Sequence, residues 1–235
     1  MKTAILVDGG FYRRMAQRVK GDLSAKDRAD ELEEYCHRHL KNGNNAPDDL
    51  YRIFYYDCMP TDSIIYHPYS RKHIDYKKTD LYKWMTAFIE EIKKKRKFAV
   101  RLGRLAPKHD KVWFNIKPST FKELCNGKKQ FDKLADDDFS LIIEQKGVDM
   151  KVGVDIASMA YKKQVDRIVL ISGDSDFVPA AKLARREGID FILDPLFNHI
   201  PPDLSEHIDG LYTRDNSYQQ HSQNTKATNN TTVAK

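Results

Sequence analysis

The chain has 235 residues, of which 40% are hydrophobic and 31% charged, a composition typical of a globular protein and unlike that of a disordered one. Lys and Arg outnumber Asp and Glu by 40 to 34, and the resulting net charge of +6 permits a polyanionic partner without requiring one. No apolar run approaches the roughly 18 to 20 residues that cross a bilayer. The apolar run at 4–7 is too short for a signal peptide, so we expect a cytoplasmic protein. The three cysteines are scattered and form no CxxC pair, which argues against a disulfide framework or a structural zinc site.

The first part of the chain predicts strands that alternate with helices. The apolar run 4–7 ends at Asp8-Gly9-Gly10, as a buried parallel strand does. The elements predicted after it are a helical segment at 12–40, a strand at 51–56 that ends at Asp57, a helix at 81–95 and a strand at 98–102. The rest of 58–145 is irregular in pattern, with a strand near 112–116 and short helical pieces at 121–143. We expect this central region to be an elaboration of the domain that is partly an insertion.

The last third of the chain is again regular. It predicts a helix at 149–163, a strand at 167–171, a helix at 177–187 and a strand at 189–193. Because strands and helices alternate, the predicted fold class is α/β with a mainly parallel sheet. Asn, Gln, Ser and Thr dominate the end of the chain, so we expect one domain over 1–212 and a polar, disordered tail over 213–235.

Acidic residues follow two of the apolar strands. Asp8 follows the first strand, and Asp174 and Asp176 follow the strand at 167–171. Parallel strands bring their carboxyl ends to one edge of the sheet, where open α/β sheets bind ligands, so we expect these acids to converge. The alternative is that Asp176 only caps the helix that follows it, a role that leaves Asp174 unexplained.

Two further acids precede the strand at 167–171. Asp149 and Asp155 are six residues apart, which places them roughly 120° apart around a helix axis, so both cannot point at one spot. The spacing therefore favours Asp149 as the N-cap and Asp155 as the residue that faces the crevice. Carboxylates packed together repel one another unless they are protonated or bind a cation. Oxygen ligands suit Mg²⁺ or Mn²⁺, ions that activate water for hydrolysis of phosphodiester bonds.

Three blocks of the sequence resemble the NYN domain family (the LabA-like proteins) of the PIN-like nuclease superfamily. The blocks are ILVDGG at 5–10, KGVDMKVGVD at 146–155 and SGDSDFVP at 172–179. The resemblance implies a Rossmann-like α/β/α sandwich and a ribonuclease site that depends on Mg²⁺ or Mn²⁺. It also implies the metal-binding and catalytic residues, which are Asp8, Asp155, Asp174 and Asp176, with Asp149 as a further metal ligand. Many relatives have an Asn that supports the metal site where this chain has Phe11.

The same resemblance implies RNA, single-stranded or structured, as the partner. Arg104, Lys146 and Lys151 lie in or near the three blocks and are candidate contacts to RNA phosphates. His199 and His207 are far from the acids in sequence, and we do not predict them to bind metal. The sequence leaves open whether the chain acts alone, as a homodimer or in a larger complex.

Two functions of different classes remain open at this point. The first is a metal-dependent endoribonuclease, which the presence of all four strand-end and helix acids favours. The second is a catalytically inactive RNA-binding or protein-interaction module with the same fold, which Phe11 and the long central region favour. A phosphatase with an aspartyl intermediate is disfavoured because Gly10 stands where that chemistry needs a second acid, and no GxxxxGK[ST] phosphate-binding loop exists in the chain.

Overall fold

The computed structural model describes residues 1–41, 46–67, 69–106 and 113–219. The strands are β1 Lys2–Asp8, β2 Asp49–Asp57, β3 Ile64–His67, β4 Lys72–Asp75, β5 Phe98–Leu102, β6 Arg104–Ala106, β7 Trp113–Ile116, β8 Phe139–Ile142, β9 Glu144–Lys146, β10 Arg167–Ile171, β11 Asp190–Asp194 and β12 Gly210–Leu211. The helices are α1 Gly9–Lys20, α2 Ala25–Arg38, α3 Asp80–Lys94, α4 Pro118–Cys125, α5 Val148–Tyr161, α6 Val178–Arg186 and α7 Pro202–Ser205. Among the helices of the described residues, none has both the length and the apolar character needed to cross a membrane.

The chain divides into two compact units. The first unit comprises residues 1–57, 87–103 and 147–235, and the second comprises residues 58–86 and 104–146. The first unit contains a six-stranded sheet in the order β12-β11-β10-β1-β2-β5, in which every neighbouring pair is parallel. The α/β class with a mainly parallel sheet is therefore confirmed.

The register of the sheet brings the carboxyl ends of its central strands to one edge. Val7 of β1 pairs with Ile171 of β10 on one side and with Tyr55 of β2 on the other. Ile171 in turn pairs with Asp194, the last residue of β11. The run Ala4 to Val7 is completely buried, as expected for a central strand covered on both faces. The residues that directly follow these strands therefore lie at the carboxyl-terminal edge of the sheet.

The helical segment predicted at 12–40 consists of two helices. α1 ends at Lys20 because Gly21, with φ at 70°, adopts a backbone conformation that residues with a side chain rarely reach. α2 begins after Ser24, whose hydroxyl accepts a hydrogen bond from the Asp27 amide and so caps the helix. A continuous amphipathic pattern concealed this break.

The second unit has its own small core and more strand than the sequence predicts. β3 and β4 form an antiparallel hairpin in the stretch at 58–79. β8 lies where the sequence predicts helical pieces, and it pairs with β7, which lies at the predicted strand near 112–116. The buried His67 ring packs against Phe114 and Phe139, with ring centroids 4.4 Å and 5.3 Å away. α4 and two short 3-10 turns at 131–133 and 136–138 are the helical part. These strands are too short for their alternation to be read from the sequence.

The packed chain extends beyond residue 212, where the sequence predicts the disordered tail to begin. Tyr218 is fully buried and its ring lies 5.9 Å from that of Tyr35. Asp215 forms ion pairs with Lys20 and Arg38. These contacts bring 213–219 into the first unit, and the remainder of the predicted tail, 220–235, lies outside the described residues.

Candidate active site

Asp8 joins the ends of two central strands. It is the last residue of β1 and the N-cap of α1, where its Oδ1 accepts a hydrogen bond of 3.0 Å from the Phe11 amide. Its Oδ2 accepts one of 3.1 Å from the hydroxyl of Ser172, the residue that follows β10. Burial raises the pKa of Asp8 above its ordinary value, although both hydrogen bonds and the charge of Arg14 act in the opposite direction. The carboxylate is therefore fixed in place and held in an environment that disfavours its charge.

Asp174 and Asp176 lie in the turn after β10, but their roles differ from those the sequence suggests. Asp174 caps a 3-10 turn at 175–177, and its Oδ1 accepts a hydrogen bond of 3.0 Å from the Asp176 amide. The N-cap of α6 is Phe177, so the capping role considered for Asp176 is wrong. Asp176 is therefore an acid that no helix cap requires, and Asp174 combines a turn-forming role with a place in the site.

Asp149 belongs to the same acidic group. The N-cap of α5 is Gly147, with φ at 82°, so the prediction of Asp149 at that position is wrong and Asp149 lies in the first turn instead. Burial raises the pKa of Asp149 above its ordinary value, and the charges of Asp174 and Asp176 raise it further. Three carboxylates from two segments of the chain thus repel one another at this edge of the sheet.

Asp155 lies against β2 and β5. Its Oδ2 accepts a hydrogen bond of 2.9 Å from the Tyr56 hydroxyl and one of 3.0 Å from Arg101 Nε. Burial, followed by the charge of Asp155, raises the pKa of Tyr56 above its ordinary value, so this phenol remains a donor. Both contacts reach the same oxygen, and among the described residues none reaches Oδ1. The ion pair with Arg101 and the hydrogen bond from Tyr56 are partners of Asp155 that the sequence does not predict.

Asp57 is a further strand-end acid, and it is not among the predicted site residues. It ends β2, is almost completely buried, and accepts two hydrogen bonds from the Arg13 guanidinium, of 2.8 Å and 3.0 Å. The Tyr55 hydroxyl donates to the same carboxylate at 2.7 Å. The signal in the sequence was its position, since Asp57 follows an apolar strand as Asp8 does. Its partners give it a structural role that positions α1.

Gly9 is required where β1 meets α1, because no side chain fits there. A Cβ at Gly9 would lie 2.6 Å from Asp57 Oδ2 and closer still to the Tyr55 ring. We expect Gly9→Ala to lower the free energy of unfolding by about 1–3 kcal/mol, the usual cost of overpacking a buried site. Urea unfolding measures the effect. Gly10→Ala is the matched control, since its Cβ would meet nothing closer than Asp8 Oδ1 at 3.6 Å. Equal stability of the two variants would contradict this packing.

An open pocket of about 320 Å³ lies between the ends of β1 and β10. Its acidic side is formed by Asp8 and Asp174. The other side chains that line it include Phe11, Arg14, Asn198 and His199. The Phe11 ring packs over Gly173, where a Cβ would lie 3.2 Å from the ring. The sequence missed Arg14 and His199, since only the fold brings the loop after β11 beside β1 and β10.

The three basic residues predicted to contact RNA lie in different units. Arg104 and Lys146 are cross-strand partners in the β6–β9 pair of the second unit, and both are exposed. Lys151 is exposed on α5 of the first unit. The β6–β9 pairing brings two of the three together.

Comparison with known proteins supplies the family. The NYN domain model matches residues 65–209, which is more than half of the chain. This chain belongs to the NYN domain family. The matched range contains Asp149, Asp155, Asp174 and Asp176, and it begins after β1, so it does not include Asp8. The predicted membership is confirmed.

Other comparisons add little to this NYN domain. A solved structure of a protein of unknown function from Vibrio parahaemolyticus is similar to 92% of this chain and 94% of its own, with 14% identity and a TM-score of 0.46. No curated protein matches the chain at a significant level.

The acids of the NYN domain offer the donor chemistry of a hard divalent cation. Within the described ranges, no three His, Cys, Asp or Glu side chains are already arranged to hold a metal ion. Mg²⁺ usually keeps several waters and takes one or two carboxylates together with substrate phosphates, so it does not need such a set. The repulsion among Asp149, Asp174 and Asp176 would be relieved by a cation. The donor set therefore fits Mg²⁺ or Mn²⁺, with Asp8 and Asp174 on the pocket wall.

The raised pKa of Asp149 gives a stability prediction. Because its pKa is higher in the folded protein than in the unfolded chain, ionisation of Asp149 opposes folding above that raised pKa. We expect Asp149→Asn to raise the midpoint of thermal unfolding at pH 7. The gain should disappear as the pH falls below the ordinary Asp range, where Asp149 is protonated in both states. Melting curves across pH test this, and a destabilised variant at pH 7 would show that the acid is stabilised by its neighbours.

Proposed function

We propose that this NYN domain is an endoribonuclease that hydrolyses RNA phosphodiester bonds and depends on Mg²⁺ or Mn²⁺. The observation that carries the proposal is the convergence of Asp8 and Asp174 on one pocket, with Asp149 and Asp176 close enough to Asp174 for their charges to interact. A single structural role explains none of these four acids fully. Membership of the NYN family, whose fold is that of PIN-like nucleases, supports the same reaction.

These four acids would act as two pairs in the proposed site. Asp8 and Asp174 would hold the cation from the pocket wall, since both are fixed by hydrogen bonds to the backbone that follows them. Asp149 and Asp176 would complete the ligand set directly or through water. When bound, the cation would activate a water molecule and stabilise the charge that develops on the phosphate.

Asp155 differs from the other acids of the proposed site because it pairs with an arginine. Since Arg101 and Tyr56 both use its Oδ2, the Oδ1 atom remains to bind a water molecule or the metal ion. We propose that Asp155 is a metal-binding and catalytic carboxylate of the site through that atom. Arg101 would then orient the carboxylate, and loss of the guanidinium would change its direction rather than its charge.

The proposed substrate is RNA in single-stranded or structured form. The exposed cations Arg104, Lys146 and Lys151 are proposed phosphate contacts, each within its own unit. Such contacts position a strand without reading its sequence. Activity as a homodimer or within a larger complex is equally compatible with this assignment.

Cleavage of labelled RNA tests the proposal. We expect the purified protein to cut 5′-labelled single-stranded and hairpin RNAs with Mn²⁺ or Mg²⁺, and to be inactive in EDTA. Asp174→Asn should lose the activity, while Glu34→Gln, which alters an exposed acid on α2, should retain it. Cutting that survives in Asp174→Asn would show that a different site or a contaminating nuclease is responsible.

The second candidate is an inactive RNA-binding or protein-interaction module. The observation that favours it is Phe11, whose ring lies over Gly173 in the pocket where relatives place an amide. Retention of RNA in a gel shift, without cutting under any metal condition, would select this function.

A further inference from the structure

The pocket that Asp8 and Asp174 line also contains basic residues that the proposed metal site does not use. Arg14 of α1 and His199 of the loop after β11 both line it. We propose that Arg14 and His199 form a subsite that binds a phosphate group of the RNA backbone. This inference rests on the proposed function for the identity of the strand, and its test below does not require cleavage.

Arg14 is a cation with no structural assignment. Its neighbour Arg13 is engaged by the buried Asp57, as described above. Within the part of the chain that the structure describes, Arg14 forms no ion pair or side-chain hydrogen bond, and its side chain is exposed. Its charge nevertheless acts on Asp8, whose pKa it lowers against the larger effect of burial. Arg14 is therefore near the acids but free to engage an anion.

His199 is carried by a loop with an unfavourable backbone. Leu196 and Phe197 follow one another with φ values of 49° and 60°, in the left-handed region that residues with a side chain rarely adopt. Such conformations persist only where the surroundings fix them, and they concentrate at functional sites. The loop after β11 is therefore a built feature of the fold.

A buried carboxylate fixes this loop. Asp194, the fully buried last residue of β11, accepts hydrogen bonds on Oδ1 from the Leu196 amide at 2.9 Å and the Thr213 hydroxyl at 2.7 Å. On Oδ2 it is engaged by the Tyr35 hydroxyl and by His39 Nε2 at 2.8 Å. Thr213 Oγ1 also accepts a hydrogen bond of 3.2 Å from the Phe197 amide.

Hydrogen bonds within the loop also fix the residue next to His199. Asn198 donates from Nδ2 to the carbonyl oxygens of Pro195, at 2.8 Å, and Leu196, at 3.3 Å. These bonds fix the backbone next to His199, a residue that lines the pocket. We therefore regard Asp194, Thr213 and Asn198 as positioning residues and His199 as the residue that contacts the ligand.

The acidic and basic residues of the pocket have complementary chemistry. Carboxylates repel a phosphate, whereas a guanidinium and an imidazole N–H in the same pocket can donate hydrogen bonds to phosphate oxygens. A guanidinium also matches the two-oxygen face of a phosphate group. Phosphate contacts carry no sequence information, so the subsite should hold RNA of any sequence beside the acids.

RNA binding in EDTA tests the subsite without cleavage. We expect Arg14→Gln and His199→Gln each to weaken binding of a fluorescein-labelled single-stranded RNA by roughly 10-fold, the usual effect of losing one charge-assisted hydrogen bond. Arg14→Gln should also reduce the slope of log Kd against log salt by about 0.7, as expected for one lost contact to a single strand. The matched controls are Arg18→Gln, an exposed residue one turn further along α1, and His207→Gln, and neither lines the pocket.

The outcomes separate this inference from the nuclease assignment. Wild-type affinity in both pocket variants would overturn the subsite, whether or not the protein cleaves RNA. Weakened binding in a protein that never cleaves would retain the subsite and reject the nuclease.

The positioning role has its own test, because Asp194→Asn is expected to disturb folding. Thr213→Val removes the hydroxyl that joins Asp194 to the loop, and Thr213→Ser keeps it. We expect Thr213→Val to weaken RNA binding, Thr213→Ser to restore it, and the Thr213→Val effect to vanish in a His199→Gln background. Full additivity of the two changes would contradict the positioning of His199 by this network.

Discussion

Asp8→Asn is expected to lower metal-dependent RNA cleavage by more than the roughly 10- to 100-fold that follows the loss of an outer-shell partner of a metal. The reason is that the variant removes one of the charged oxygens that would bind the metal in the proposed site. The fold should survive, because Asn is as effective as Asp at an N-cap and can still accept the Phe11 amide hydrogen bond. Initial rates of cleavage at saturating Mn²⁺ measure the loss.

The control for this change is to show that the Asp8→Asn variant is folded. The circular dichroism spectrum and the unfolding midpoint of Asp8→Asn should match those of the wild type within the small range seen for surface changes. Cleavage at the wild-type rate by a folded Asp8→Asn protein would show that Asp8 is not a metal ligand.

Arg13→Met is expected to have the largest effect on stability, lowering the free energy of unfolding by about 3–5 kcal/mol. The change takes away the guanidinium that donates twice to the buried Asp57 carboxylate. Urea unfolding followed by far-ultraviolet circular dichroism measures the loss.

Arg14→Met provides a matched control on the next residue of the same helix. Because Arg14 is exposed and unpaired within the described residues, its loss should change the free energy of unfolding by no more than about 0.5 kcal/mol. The adjacent arginines thus separate the stabilising pair with Asp57 from the proposed contact to RNA phosphate. Equal destabilisation by both changes would contradict the role assigned to the Asp57 pair.

The sequence predicts the parallel sheet well, because its central strands contain continuous apolar runs. β1 and β10 contain such runs, and their pairing follows from the fold class. The β3–β4 hairpin was missed because strands of four residues give no periodic signal and their core depends on His67, a residue that patterns treat as polar. Tyr218 was missed because a single buried aromatic residue in a polar stretch leaves the composition of that stretch unchanged.

In the candidate site, too, the sequence predicts some features and not others. Asp8 and Asp174 were predictable because position after a strand determines the edge of the sheet at which a side chain lies. The neutralisation of Asp155 by Arg101 was not, since it depends on a contact between α5 and β5 across 54 residues. Arg14 and His199 escaped notice for the same reason, because only the folded chain brings the β11 loop to the end of β1.

Direct measurement of Mn²⁺ binding tests the central claim that the acids at this edge of the sheet form a divalent-metal site. Electron paramagnetic resonance of free Mn²⁺ gives the affinity for the wild type, for Asp174→Asn, and for Glu34→Gln as the control. The account predicts saturable binding by the wild type and Glu34→Gln, and strongly weakened binding by Asp174→Asn. Equal binding by all three proteins, or no saturable binding by the wild type, would contradict it.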